Sequence, residues 1–200
     1  MGSNGRNSDG GVFANSSFAH ALANEALNMP VPKPLLDLDK SMPFVIVADD
    51  AFALNEHIMK PFPGRNLLPS QRIFNYRLSR ARRKIENAFG IMTARFRVLR
   101  SPIQLDAAKT TIVTKACVVL HNMLMGRSEN SYALKGFLDY MTEDGAIIDG
   151  AFRQHFSNGG TMTLEPSINR NATQTAREIR KEFKNYFMST GEVPWQFKRI

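Results

Sequence analysis

Between Ser70 and Ser101 the chain reads SQRIFNYRLSRARRKIENAFGIMTARFRVLRS, and no other stretch constrains the fold as strongly. At helical period Phe74, Leu78, Ala81, Ile85, Ala88, Phe89, Met92, Phe96 and Leu99 share one side, a stripe long enough to predict a core helix. Nine cations surround the stripe: Arg72, Arg77, Arg80, Arg82, Arg83, Lys84, Arg95, Arg97 and Arg100. A single acid, Glu86, stands among them. Arg82 and Arg83 precede it by four and three residues, the spacing of intrahelical ion pairs worth about 0.2–0.5 kcal/mol each. The other reading is a carboxylate kept for chemistry. Both are open at this point.

The whole chain carries 26 cations and 18 Asp and Glu, a net charge of +8. The basic stretch alone contributes nine minus one, so the other residues sum to zero. Basicity confined to one segment points to a polyanion-facing surface, with nucleic acid the leading partner. A membrane is not expected, since no apolar run approaches the ~18 residues of a span and the apolar stripe is committed to a core. The polar N-terminal MGSNGRNSDGG is unlike a secretory leader. One cysteine, Cys117, excludes an internal disulfide framework and fits a reducing compartment. Two hundred residues suffice for one domain with a core.

In chain order, Met1–Phe13 reads as a loop, and Asn15 or Ser16 caps a short helix expected to run to Leu27. MPVPKPLLDLDKSMP, with its four prolines, reads as an extended connector. FVIVADD, Phe44–Asp50, has the short β-branched run of a buried strand, and ALNEHIMKPFPG reads as an irregular excursion. After the basic helix, stopped near Pro102, Asp106 caps LDAAKTTIVTKACVVLHNMLM. Its Ile112, Val113, Ala116, Val119, Leu120 and Met123 are expected to be buried. A short helix over Ser131–Met141 is expected next, and 142–170 lacks periodicity. ATQTAREIRKEFKNYFMST reads as an amphipathic helix with Ile179, Phe183 and Phe187 on one face.

The candidates for chemistry are few. Asp49 ends the predicted strand, where open α/β sheets place ligands, and a carboxylate there can hold a divalent cation. It can equally close a turn. Two carboxylates, one at a strand end and one on a helix, suit a metal-assisted phosphodiester site, with arginines positioning the nucleic-acid backbone. His20, His57, His121 and His155 are scattered and show no zinc spacing. Cys117, within KACVVL, reads as a small core residue, and no phosphate-binding glycine pattern is present. Trp195 and Phe197 are expected to anchor the C-terminus. No RNA-binding motif accompanies the arginines.

Five segments in order, GSNGRNSDGGVFANSSF, PFVIVADDAFALNEHIMKPFPG, RIFNYRLSRARRKIENAFGIMTARFRVLRSPI, CVVLHNML and VPWQ, resemble the Harbinger/PIF-type DDE transposases and their host-derived nuclease relatives. The resemblance runs from about Gly2 to Met125, with a short echo at the C-terminus. It implies an α/β, RNase H-like mixed sheet flanked by helices, and an activity of DNA strand cleavage and joining that depends on Mg²⁺ or Mn²⁺. The family uses an Asp on its first strand, an Asp closing a later strand in a segment like VADDAF, and a Glu in a helix segment like RKIENAFG. The last two fall on Asp49 and Glu86, so the resemblance tips Glu86 towards metal ligand. Asp50 is the more variable neighbour, and Asp9 belongs to the SDGGVF segment as a helix cap or loop support.

The family's first Asp precedes the segment on which this chain opens. The expectation is therefore a partial nuclease domain over 1–126, N-terminally truncated by the first catalytic strand, followed by a mostly helical extension over 127–200. Two carboxylates hold a pair of cations about 3.5–4 Å apart less well than three, so impaired catalysis is expected. Arg72, Arg77, Arg80, Arg82 and Arg83 are the expected phosphate contacts. Family relatives work in the nucleus beside a Myb/SANT-like partner that recognises DNA. The competing expectation is a non-catalytic, domesticated relative that binds DNA or protein; unlike a nuclease, it would lose affinity with salt and ignore Mg²⁺.

Overall fold

The structure, a computed structural model, describes residues 8–133, 136–155 and 172–200. In chain order they form helices α1 (Asp9–Ala14) and α2 (Ser17–Ala23), then strands β1 (Lys33–Pro34), β2 (Ser41–Met42), β3 (Ile46–Val47) and β4 (Ile58–Met59). Helix α3 (Pro69–Arg95), a 3-10 turn over Arg97–Arg100 and helix α4 (Ala107–Tyr132) follow. Strands β5 (Tyr140–Met141) and β6 (Ile147–Ile148), a 3-10 turn over Ala151–His155, helix α5 (Gln174–Tyr186) and a last 3-10 turn over Gln196–Arg199 complete the set. The strands pair as three small sheets: β1 with β2 antiparallel, β3 with β4 parallel, β5 with β6 antiparallel. This is a mixed α/β composition in which helices carry most of the ordered chain.

The described residues gather into two compact units, 8–82 with 172–200, and 83–155. The first unit is built around β3, β4, the first half of α3 and α5. Leu54, Met59, Phe74, Leu78 and Ala176 form its core, with Val45, Val47, Phe62, Ile179, Phe183 and Phe187 packed on it. The amphipathic face expected for α5 is thus the one that packs. Thr173 caps α5 by accepting from Ala176 N–H. In the parallel pair Ile46 lies opposite Ile58 and Val47 opposite Met59. The excursion ALNEHIMKPFPG therefore contributes a strand, because the Asn55 side-chain oxygen accepts from the backbone of His57 and Ile58 and turns the chain back into register.

Local chemistry explains the other departures in this unit. Residues 9–14, expected as loop, are helical because the Ser8 hydroxyl accepts from Gly11 N–H and caps the turn. Ser16 caps α2 as expected, but α2 ends at Ala23, where Asn24 closes the helix and Glu25 takes a left-handed φ of 55°. The proline-rich connector is a small hairpin, turned through Asp37 at φ 55°. At the C-terminus Trp195 stacks on Arg80 and meets the Tyr76 ring edge-on, whereas Phe197 stays exposed.

In the second unit the buried side of α3 follows the apolar stripe only at Met92 and otherwise turns away from it. Asn87, Gly90, Ile91 and Met92 are buried, while Ile85 and Phe89 are each more than half exposed. The reason is polar docking. Asn87 brackets the backbone of Asp139 from both sides, donating to its carbonyl at 3.0 Å and accepting from its N–H at 3.2 Å. The Phe152 ring lies so close to Gly90 that an added Cβ would stand 2.5 Å from it.

Asp106 caps α4 through Lys109 N–H, as expected. The helix then continues past Gly126 to Tyr132, since one glycine costs a long helix only about 1 kcal/mol. Its expected core positions are not its buried ones. Ile112 is 66% and Val119 65% exposed, and Ala116, Leu120 and Met123 are exposed too; Cys117 and His121 hold the buried side. The expected short helix over Ser131–Met141 is replaced, in its described part, by the end of α4 and by β5. The expectation for 142–170 falls on described residues only to 155; beyond 155 it lies outside them.

Candidate active site

Asp49 leaves the β3–β4 pair two residues after Val47. Backbone bonds continue the ladder, with Ala48 N–H donating to Met59 O at 2.9 Å. Asp49 then turns the chain: its Oδ1 accepts from Ala51 N–H at 2.9 Å, and Oδ2 lies 3.8 Å from Arg82 Nη2. The side chain is about one-third exposed. Two neighbours fix this turn. The buried Lys60 donates to the Asp50 carbonyl at 2.6 Å and pairs with its carboxylate at 3.0 Å. Gly10 of α1 packs so tightly that a Cβ there would be 2.3 Å from Ala51 O, a backbone atom that cannot rotate away. A cavity of about 710 Å³ opens beside the turn, lined in part by Phe13, His20, Ala51, Asn55 and His57.

Glu86 sits in the second unit, on the side of α3 that also carries Arg83, Asn87 and Gly90. Its Oε2 accepts from Arg153 Nη2 at 2.9 Å. The same guanidinium grips Asp139, with Nε 2.8 and 3.0 Å from the two carboxylate oxygens and Nη2 also bonded to Oδ2. Arg83 Nη1 reaches Asp139 and Asp149, at 3.1 Å each, and Gly150 N–H donates to Asp139 at 2.8 Å. The hydrogen bonds from Arg153 hold the Asp139 carboxyl down at about 2, against burial that works the other way. Pairing with Asp139 first, then with Glu86, raises the Arg153 guanidinium further above its ordinary range. Glu86 thus has a stronger partner than the intrahelical arginines suggest.

The arginines expected on phosphate are placed differently from one another. Arg72 is exposed. Arg77 is packed over the Phe187 ring at 4.5 Å and donates to Gly191 O and Gln196 Oε1; burial first, then Arg80, lowers its pKa. Arg80 lies 3.8 Å over the Trp195 ring. Arg82 faces Asp49, and Arg83 joins the acidic group. Arg95 and Arg100 bond backbone carbonyls, Arg95 that of Tyr132 and Arg100 those of Thr93 and Ala94. Sequence reasoning missed Lys60, Asp139 and Arg153. The signal for Lys60 was the alignment of KPF beside VADD, visible only once the parallel register is known.

His121 is buried 3.0 Å from the Tyr132 hydroxyl, and burial lowers its pKa, which fits a packed residue. Cys117 is buried. No described helix is long and apolar enough to cross a membrane.

The family described as DDE superfamily endonuclease matches residues 1–122, more than half of the chain and a span that contains both Asp49 and Glu86. The chain belongs to that family. No curated protein and no solved structure matches it. Endonucleases of this superfamily act on DNA and generally use divalent metals. The donor type here fits such ions, since carboxylate oxygens suit Mg²⁺ and Mn²⁺. The arrangement fits less well: among the described residues no group of three or more His, Cys, Asp or Glu is set to hold a metal. Asp49 faces one arginine and Glu86 another.

Proposed function

We propose that the chain is a Harbinger/PIF-type transposase or a nuclease derived from one, with an RNase H-like fold, cleaving DNA phosphodiester bonds with Mg²⁺ or Mn²⁺. The family match over residues 1–122 carries this reading. Asp49 and Glu86 would hold the cation, which polarises the phosphate and lowers the pKa of the attacking water. The chain's own residues have supporting tasks. Lys60 and Gly10 hold the Asp49 turn rigid, and Arg82 neutralises Asp49 where no cation is bound. Exposed Arg72 is the first choice for a phosphate contact among the five arginines, since Arg80 is stacked on Trp195 and Arg82 faces Asp49. Arg77 is enclosed by its own unit, and Arg83 is occupied by two carboxylates. By the same resemblance the protein works in the nucleus beside a Myb/SANT-like partner.

The test is nicking of supercoiled DNA with Mn²⁺ or Mg²⁺, comparing the chain with Asp49→Asn and Glu86→Gln variants. Slow metal-dependent nicking, since two carboxylates hold a pair of cations less well than three, that drops at least about 100-fold further in either variant is the expected result. DNA binding that ignores Mg²⁺ and both substitutions would replace this reading with the non-catalytic one. That second reading draws on one observation: Glu86 is already neutralised by Arg153.

A further inference from the structure

Arg153 joins Glu86 and Asp139 through several bonds that neither the proposed chemistry nor the apolar core accounts for. It follows Phe152, whose ring packs closely against Gly90, one helical turn beyond Glu86 on α3. Only glycine allows that approach, so the packing delivers the Arg153 guanidinium to the level of Glu86. There it meets two carboxylates of unequal standing. Asp139 is 3% exposed and receives Nε, Nη2, Arg83 and the Gly150 N–H. Glu86 is 38% exposed and receives Nη2 alone from this guanidinium. Asp139 is the anchor; Glu86 is the partner that can be released.

Charge makes the same point. Glu86, Asp139 and Asp149 bring three negative charges to Arg83 and Arg153, which bring two positive ones. If Glu86 turns to another cation, both arginines keep a carboxylate each, so no buried charge is orphaned. A metal ion and a guanidinium on one carboxylate repel each other, so the Arg153 bond to Oε2 weakens the hold of Glu86 on a cation.

We propose that Arg153 is a positioning residue for Glu86, holding its carboxylate in an internal ion pair that competes with a divalent cation. The inference rests on the reading of Glu86 as a metal ligand. It makes metal binding a competition, and it assigns the loop at Gly150–Arg153 control of how readily the site loads.

The experiment is calorimetric titration of the full chain with Mn²⁺. Two variants release Glu86. Arg153→Lys keeps a cation on Asp139 but lacks the planar fork that spans both carboxylates. Arg153→Gln combined with Asp139→Asn removes the buried pair together. Each is titrated with and without Glu86→Gln, and circular dichroism and thermal unfolding check the fold. Mn²⁺ should bind about tenfold more tightly in the released variants, the order expected for losing one charge-assisted hydrogen bond, and Glu86→Gln should abolish the gain. A residue with a purely structural role would leave affinity unchanged or weaken it. Unchanged or weaker binding in folded variants, with wild-type binding still sensitive to Glu86→Gln, would overturn the role of Arg153 and leave Glu86 a ligand. Binding that is absent or indifferent to Glu86→Gln throughout would overturn both. A double variant that does not fold would mark the pair as structural and overturn the proposal as well.

Discussion

The most informative single residue is Asp139, a carboxylate almost without solvent contact that two arginines and a backbone N–H satisfy. Its pKa in the folded chain is about 2, below the ordinary 3.8. The sign of the linkage follows. Above about pH 4 the group is charged in both states and its folded-state partners contribute in full; as pH falls from about 4 to about 2 the unfolded chain takes up the proton first and the contribution is lost. At about 1.4 kcal/mol per unit, the loss is about 2 kcal/mol. Urea unfolding of the parent and of Asp139→Asn should therefore show a gap in stability at pH 6 that narrows by about that amount at pH 2.5. None of this was legible beforehand. Asp139 lies in a weakly patterned segment, and its partners are 14 and 56 residues away in sequence.

At the scale of elements, the long helices and the local caps could be read, whereas the buried sides of the second half of α3 and of α4 could not. Asp106, Ser16 and the amphipathic face of α5 are local signals, and all three hold. The faces of α3 and α4 depend on what packs against them. On α3 the partner loop is recognised through Asn87 and Gly90, residues that an apolar periodicity does not count. On α4 apolar residues occur nearly all round, so no stripe singles out Cys117 and His121. Of the two expected metal ligands, Glu86 was read correctly as a helix residue, yet its main partner, Arg153, is 67 residues away. A measurable contrast follows. Ile112→Gln and Val119→Gln should each leave stability within about 0.5 kcal/mol of the parent, as exposed substitutions do. Ile91→Ala, at a site 2% exposed, should cost about 2–4 kcal/mol. Thermal unfolding of the three variants checks it.

For the whole molecule the question is where the net charge of +8 acts. The excess lies entirely in one stretch of sequence, but folding divides it. Arg77 and Arg80 stack on aromatic rings, Arg82 and Arg83 face carboxylates, and Arg95 and Arg100 bond backbone carbonyls. Arginines used in this way stabilise the fold and are poor phosphate contacts, because a polyanion would have to displace bonds already made. Among the described residues, exposed Arg72 and Lys84 make no such bond, and under the proposed function they are the candidates for DNA. Arg72→Ala should therefore weaken DNA binding and reduce the slope of log affinity against log salt by about 0.9, the value for one phosphate contact on duplex DNA, with the unfolding midpoint unchanged. Arg77→Ala should do the reverse: it strips a stacked, hydrogen-bonded group from the Phe187–Gln196 contact, lowers stability by about 1–3 kcal/mol and leaves the salt slope intact. Fluorescence anisotropy on a labelled duplex from 50 to 200 mM salt, beside thermal unfolding, reads both effects. Equal loss of slope in the two variants would mean that Arg77 leaves its aromatic seat to reach DNA.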